Sequence, residues 1–285
     1  MQKKQGYFLY GLIFSVKIDY LCILKASITM IFWFSGTGNS LWLAQCLQAA
    51  TSEATHDISK DLLNGNTSYN LKDNERIGFV FPVYGWNMPD IVKRFICHME
   101  LKNYRENYTY IACTCGDDMG KTETEVEKLL HSRGWTLHSA FAVQMPNTYV
   151  CLPGFNVDSK TVEEAKLALA PQTAKRICDI VLHRRVSNLL TIPGKMAWAK
   201  THILGSFFRK FLMDSRKFHV TDKCIGCGKC SIVCPLANIQ LTAGHPAWGT
   251  NCAMCLSCYH HCPLHAIEYG SQTKSKGQYI NPLII

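Results

Sequence analysis

A chain of 285 residues has room for one domain of ordinary size and a smaller companion. Apolar residues make up 47% of it, which supplies a packed core and excludes global disorder. The net charge of +9 is concentrated in residues 160–219, where twelve Lys and Arg face four acids. Such a segment attracts an acidic partner protein, nucleic acid or an anionic membrane surface, or serves as a solvated face.

Fifteen cysteines are present, eight of them within 224–262. The other seven (Cys22, Cys46, Cys97, Cys113, Cys115, Cys151 and Cys178) are scattered through hydrophobic contexts. A secreted disulfide framework would be spread through a small, core-poor chain, so that class is excluded. The scattered thiols are expected to be free and buried, and the compartment reducing and cytoplasmic.

Residues 1–29 begin MQKKQGYFLYGLIFSV, a basic stretch and a short apolar run in the manner of a signal peptide. Lys17, Asp19 and Lys25 interrupt the run, and no 18-residue uncharged span lies within residues 1–29. The segment is expected to be an overextended translation start, with a weak membrane anchor as the alternative.

From Met30 the chain reads MIFWFSGTGNSLWLAQCLQAA. Five apolar residues predict a buried strand, SGTGNS a tight loop, and Asn39–Ala50 a helix. A loop delivered to a helix N-terminus makes an anion site from backbone N–H groups and the helix dipole. A dinucleotide fingerprint would need glycine where Leu41 stands, and a triphosphate loop a lysine after the second glycine. What remains is glycine flanked by the hydroxyls of Ser35, Thr37 and Ser40, with no cation over 31–44. That pattern suits one phosphate held by neutral donors, and hence a mononucleotide.

Further strand–loop–helix units follow. RIGFVFPVYGWNMPDIVKRF (76–95) carries aromatics in its loop and Pro89 before its helix. YTYIACTCGDDMGKTETEVEKLL (108–130) carries a Gly/Asp loop, TLHSAFAVQMP (136–146) predicts a fifth strand, and a short strand near His56–Ser59 supplies the second. Alternating strands and helices imply a parallel α/β sheet with crossovers.

SGTGNS resembles the phosphate loop of the flavodoxins, which bind flavin mononucleotide (FMN). The resemblance covers 30–150 and implies a doubly wound parallel sheet of order 2-1-3-4-5, with FMN at the switch point beyond the strand C-termini. It implies that Ser35, Gly36, Thr37, Gly38, Asn39 and Ser40 hold the phosphate, and that Tyr84 or Trp86 stacks on the isoalloxazine ring. The 114–120 loop, with Thr114, Cys115, Gly116, Asp117 and Asp118, would line the other edge. Cys113 is expected in the core and Cys115 beside the flavin. Carboxylates of Asp117 and Asp118 near the ring would lower its potential; their plainer role is a capping turn before the helix at Lys121–Leu130.

Residues 151–219 form a basic connector. A helix broken near Pro171 is predicted over 160–185, and 194–218 is amphipathic at helical spacing. Its expected role is packing against a neighbouring domain. A membrane-surface helix is the alternative, and no recognised fold supports nucleic-acid binding.

Residues 220–285 form the smaller domain. CIGCGKCSIVCP (224–235) and CAMCLSCYHHCP (252–263) both follow C-x2-C-x2-C-x3-C-P, start 28 residues apart, and continue into PLANI and PLHAI. Thiolates are soft ligands suited to iron–sulfur clusters. Eight cysteines in two such runs exceed what one zinc ion needs, and the CxxxCxxC triplet of radical chemistry is absent. The runs resemble the bacterial two-cluster ferredoxins, in which the fourth cysteine ligates the other cluster. That resemblance assigns Cys224, Cys227, Cys230 and Cys262 to one [4Fe-4S] cluster, and Cys234, Cys252, Cys255 and Cys258 to the second. Gly226 and Gly228 are expected to let backbone N–H groups approach sulfide. His260 and His261, with no ligand position open to them, are expected at the surface.

Taken from Met30, the chain resembles the flavodoxin–ferredoxin fusions of anaerobic bacteria, with an α+β two-cluster domain following the sheet. The resemblance implies an electron carrier with two [4Fe-4S] clusters and FMN, working with a redox partner protein that the basic connector suggests is acidic. An FMN-dependent reductase of a small molecule is the alternative.

Overall fold

The computed structural model describes residues 30–284. Six parallel strands make the main sheet: β1 (Met30–Trp33), β2 (Ala54–Asp57), β3 (Ile77–Pro82), β4 (Thr109–Cys115), β5 (Ser139–Gln144) and β6 (Ser187–Leu190). Their spatial order is 2-1-3-4-5-6, the flavodoxin-like order extended by one strand. Helices α1 (Asn39–Thr51), α2 (Ile58–Asn64), α3 (Asp90–His98), α4 (Thr122–Ser132) and α5 (Lys160–Leu182) cover both faces.

The period-two alternation of side chains sorts these strands onto two cores. Phe32, Phe79, Phe81, Ile111 and Cys113 meet Ile91, Val92 and Phe95 of α3 and Val126 and Leu130 of α4. Ile31, Val80, Tyr110, Ala112, Phe141 and Val143 meet Trp42, Leu43 and Leu47 of α1 and Ala174, Ile177 and Val181 of α5. Both faces of the central strands are therefore buried, as a doubly wound sheet requires.

Several boundaries differ from expectation for local reasons. The second strand ends at Asp57, because the Asp57 carboxylate accepts the backbone N–H groups of Ser59 (2.9 Å) and Lys60 (3.4 Å) and starts α2 there. The helix expected to break at Pro171 runs through it. Pro171 is exposed, so its ring meets solvent rather than the sheet, while Ala170, Ala174, Ile177 and Cys178 hold the buried side. The segment 151–219, expected as a connector, thus gives its first half to the sheet layer as α5 and β6. Cys97 is exposed, because α3 buries Ile91, Val92, Phe95 and Ile96 and turns position 97 outward. Cys22 and the N-terminal expectation lie outside the described residues.

After β6 comes a helical run, Ala197–Leu212, containing two π-type turns at Lys200–Leu204 and Phe208–Leu212. The C-terminal module pairs β7 (Phe218–Val220) with β10 (Ile267–Tyr269), and β8 (Ile239–Thr242) with β9 (His245–Trp248), both antiparallel. Two one-turn helices, α6 (Lys229–Ile232) and α7 (Ser257–His260), occupy equivalent places in the repeat. Its core joins Phe218, Ile239, Tyr259, Ile267 and Tyr269 to Val150 and Cys151, which follow β5. None of the described cysteines forms a disulfide, and no described helix is long and apolar enough to cross a membrane.

Candidate functional site

Beyond the C-terminal ends of β1, β3, β4 and β5 lies a cavity of about 430 Å³. The loop after β1 forms its floor. Gly38 takes φ +100°, a left-handed turn open to glycine, and its N–H donates to Ser35 Oγ at 3.1 Å. No side chain caps α1, so its first-turn N–H groups face the loop without an internal acceptor. Ser40 Oγ lies 2.7 Å from Thr114 Oγ1, and Asn39 Nδ2 donates to the Pro146 carbonyl at 3.1 Å. These bonds tie the start of α1 to the end of β4 and to the loop after β5. Ser35, Gly36, Thr37, Asn39 and Ser40 line the cavity; Gly38 lies behind them, against Asn281 and Ile284 of the C-terminal tail. That tail fastens the loop from the far side, with Tyr279 Oη donating to Asn39 Oδ1 (2.9 Å) and the Asn281 N–H to the Thr37 carbonyl (2.9 Å).

Tyr84 to Asn87 form a tight turn, with Gly85 (φ +53°) and Trp86 (φ +57°) both left-handed and reciprocal backbone bonds between Tyr84 and Asn87. The turn brings Tyr84 and Trp86 to the cavity wall. Phe208 of the helical run stands where a side chain on Gly85 would go. On the opposite wall, Thr114, Cys115, Gly116, Asp117 and Asp118 line the cavity, while Cys113 is in the core. Asn147 packs so closely over Gly116 that a methyl there would lie 1.7 Å from its Oδ1. Asn147 is held by Asp158, which accepts both its N–H groups (3.0 and 3.2 Å).

The two carboxylates differ. Asp117 is exposed. Asp118 accepts the Gly120 N–H at 3.2 Å and forms an ion pair with Lys200, whose Nζ also lies 5.7 Å from the Trp86 ring centroid. Of the two carboxylates expected to act freely, one is therefore paired with a cation from residue 200. Lys200, Asn147, Tyr149, Phe208 and Met254 line the cavity and were not foreseen. For Asn147 and Tyr149 a signal existed, since PNTY directly follows a strand C-terminus, where α/β sites form.

The eight clustered cysteines fall into two sets. Cys224, Cys227, Cys230 and Cys262 border one small cavity; Cys234, Cys252, Cys255 and Cys258 border another, each about 20 Å³. Among the described residues no three His, Cys, Asp or Glu converge on a single-ion site. Equivalent backbone N–H groups point at sulfur in both halves: Asn238 to Cys234 Sγ (3.3 Å) and Ala266 to Cys262 Sγ (3.2 Å). Burial pushes the Cys258 thiol up to about 12 and Cys255 higher still, so metal loading would displace protons from both.

The repeat explains its own glycines. Gly226 (φ +67°) and Gly228 (φ +74°) correspond to Met254 (φ +52°) and Leu256 (φ +59°). All four are left-handed, so the first demand on Gly226 and Gly228 is conformational. In the second half, larger side chains accept roughly 1–2 kcal/mol of strain each, and both Met254 and Leu256 line the large cavity together with Cys255. There the two parts of the chain touch: a methyl on Gly36 would lie 2.4 Å from the Cys255 carbonyl oxygen.

His260, expected at the surface, is buried. Its Nε2 lies 2.8 Å from the Thr148 carbonyl and its Nδ1 accepts the Tyr279 N–H at 3.1 Å, a pairing that the neutral Nε2–H tautomer satisfies. Burial lowers it to about 4. It links the cysteine module to the loop after β5.

The fold and site together define an α/β flavodoxin-like sheet joined to a cysteine-rich α+β module. The profile of the Fer4 family, the 4Fe-4S binding domain, matches residues 218–240, so the chain carries a ferredoxin-type iron–sulfur domain toward its C-terminal end. The search of curated proteins returned no match. Solved structures similar to the chain include an azoreductase from Bacillus anthracis (8% identity, TM-score 0.35, 55% of this chain and 100% of that one). A putative flavoprotein from Bacteroides uniformis is 15% identical, with TM-score 0.32, covering 50% of this chain and 98% of that one. Rubredoxin:oxygen oxidoreductase from Desulfovibrio gigas is 10% identical, with TM-score 0.30, covering 54% of this chain and 37% of that one.

Proposed function

We propose that the protein is an electron-transfer iron–sulfur flavoprotein carrying two [4Fe-4S] clusters and FMN. The observation that carries this reading is that one cavity is lined by both the phosphate-type loop and the Cys255 loop, which meet at Gly36. Four thiols around each small cavity supply the soft donor set a cluster needs. Neutral donors, an uncapped helix N-terminus and the aromatic walls of Tyr84 and Trp86 supply what a flavin phosphate and ring need. When bound, a cluster exchanges one electron and a flavin one or two, which couples the two kinds of chemistry.

The chain's own contribution is positional and electrostatic. The Gly36–Cys255 approach holds the loops of the two domains in contact. Lys200 balances Asp118 at the cavity wall, and Met254 and Leu256 put apolar side chains on that wall beside Cys255. Electron transfer asks no side chain to act as acid or base. Cys227 is exposed and Ile225 beside it lies open to solvent, so the cluster of Cys224, Cys227, Cys230 and Cys262 is the one a redox partner would reach. Phe155 and Phe208 widen the aromatic wall beyond Tyr84 and Trp86, and favour as a second reading an FMN-dependent reductase of a small molecule.

Anaerobic purification followed by assay of iron, sulfide and flavin tests the proposal. About eight irons and one FMN per chain are expected. Colourless protein, or brown protein that releases no flavin on denaturation, overturns it. Reoxidation of the reduced flavin that depends on an added small molecule would select the second reading.

A further inference from the structure

The helical run Ala197–Leu212 keeps one side bound and the other bare. On the bound side, the Lys121 N–H donates to Thr201 Oγ1 (2.8 Å), Arg209 donates to the Gly85 carbonyl (2.8 Å), and Gly205 abuts Gly85 so closely that a methyl would lie 2.3 Å from its oxygen. On the bare side, Met196, Trp198, Ile203, Leu204, Phe207 and Phe211 are each more than half exposed. The packing expected of this segment is thus found on one side alone. Single exposed apolar residues are ordinary, but five on one short, well-fastened run, with Met196 immediately before it, mark an interaction surface.

Charge identifies what fits it. From residue 180 to 213 the chain has six Lys and Arg and no acid. Lys200 is occupied by Asp118, and Arg185 by Asp179. Lys195 and Lys210 are exposed among the apolar side chains, with Lys210 Nζ 5.2 Å from the Phe211 ring centroid. A second copy of the chain would set two cationic faces against each other. Residues 1–29, with four lysines and one aspartate, would be repelled in the same way. An acidic soluble protein would answer the cations, but it would also have to expose a large apolar patch of its own, which monomeric proteins rarely do. A bilayer with anionic headgroups offers both an apolar layer and negative charge, and tryptophan, phenylalanine and lysine together are the composition of interfacial helices.

We propose that this run docks the protein reversibly on an anionic bilayer surface, with Phe207 and Phe211 inserted at headgroup depth and Lys195 and Lys210 on the phosphates. The inference stands apart from the cofactor assignment.

The test is co-flotation of the full chain, purified without oxygen, with vesicles of phosphatidylcholine alone or with one-third phosphatidylglycerol. Binding is expected on the anionic vesicles and to weaken as salt rises. Phe207→Ser with Phe211→Ser should reduce it about tenfold or more, and so should Lys195→Gln with Lys210→Gln. All four positions are exposed, so iron content and melting temperature should match the parent chain and exclude misfolding. No flotation overturns the proposal and turns attention to an acidic protein partner. Equal flotation of either double variant overturns it as well. A dimer in sedimentation that the phenylalanine variant abolishes would assign the surface to a second copy instead.

Discussion

Replacing Gly36 by alanine tests whether the two parts of the chain are held at contact distance. Gly36 is not in a left-handed conformation, so alanine costs nothing in backbone geometry. Its methyl would, however, lie 2.4 Å from the Cys255 carbonyl oxygen and 3.0 Å from Cys255 Cβ. An ordinary carbon–oxygen contact is about 3.3 Å or longer, so the loops must separate by nearly 1 Å. The obstacle is backbone beside a cluster ligand, which cannot swing aside as a flexible side chain would. Overpacking of this kind costs about 1–3 kcal/mol, and at 2–4 °C per kcal/mol the melting midpoint should fall by roughly 2–12 °C. Electron exchange between clusters and flavin, followed by stopped-flow absorbance, should slow while iron content stays near that of the parent. Gly65→Ala is the control. At φ +67° with nothing within 4 Å, it carries backbone strain alone and should leave the exchange rate unchanged. If Gly36→Ala melts and exchanges electrons like the parent chain, the loops do not meet as described and the two sites are not held at contact distance.

Removal of Cys227 should cost one cluster and about half of the iron, because the other four thiols border a separate cavity; a variant with full iron content would refute the assignment. Lys200→Met leaves the Asp118 carboxylate uncompensated at the cavity wall and should lower the flavin midpoint potential in a spectroelectrochemical titration, whereas Asp118→Asn should raise it. Arg76→Met strands Glu53, which is buried and ion-paired with Arg76, and should cost about 3–5 kcal/mol at neutral pH by urea denaturation. Burial already raises the Glu53 carboxyl against the pull of Arg76, and loss of the guanidinium raises it further. With the folded-state value above the unfolded one near 4.3, stability of the variant is largest at low pH and is lost as pH rises through the folded value. A variant less stable at pH 5 than at pH 8 would contradict that sign.

How far each feature could be read in the sequence depends on the range of the interaction behind it. The strands of the sheet announced themselves because alternate residues of one strand must satisfy opposite faces, as Ile31 and Phe32 do. The site loops were legible where one loop carries its own chemistry, as SGTGNS does. Residue 200 carried no such mark. Lys200 reaches Asp118 across 82 positions, and a lysine in a basic segment looks the same whether it meets solvent or a cavity wall. His260 likewise read as surface, because its partners Thr148 and Tyr279 lie 112 and 19 positions away.

By itself, then, the amino-acid order determined the two halves: continuous apolar strands alternating with helices, and eight cysteines in two identical spacings. Both are repeats of local chemistry, dictated within a few residues. Only the tertiary structure decided that β6 completes the sheet, that Pro171 lies harmlessly on a wet helix face, and that Gly36 meets Cys255. Those outcomes depend on which distant surfaces find each other during packing, and close packing admits a neighbour only where its volume fits.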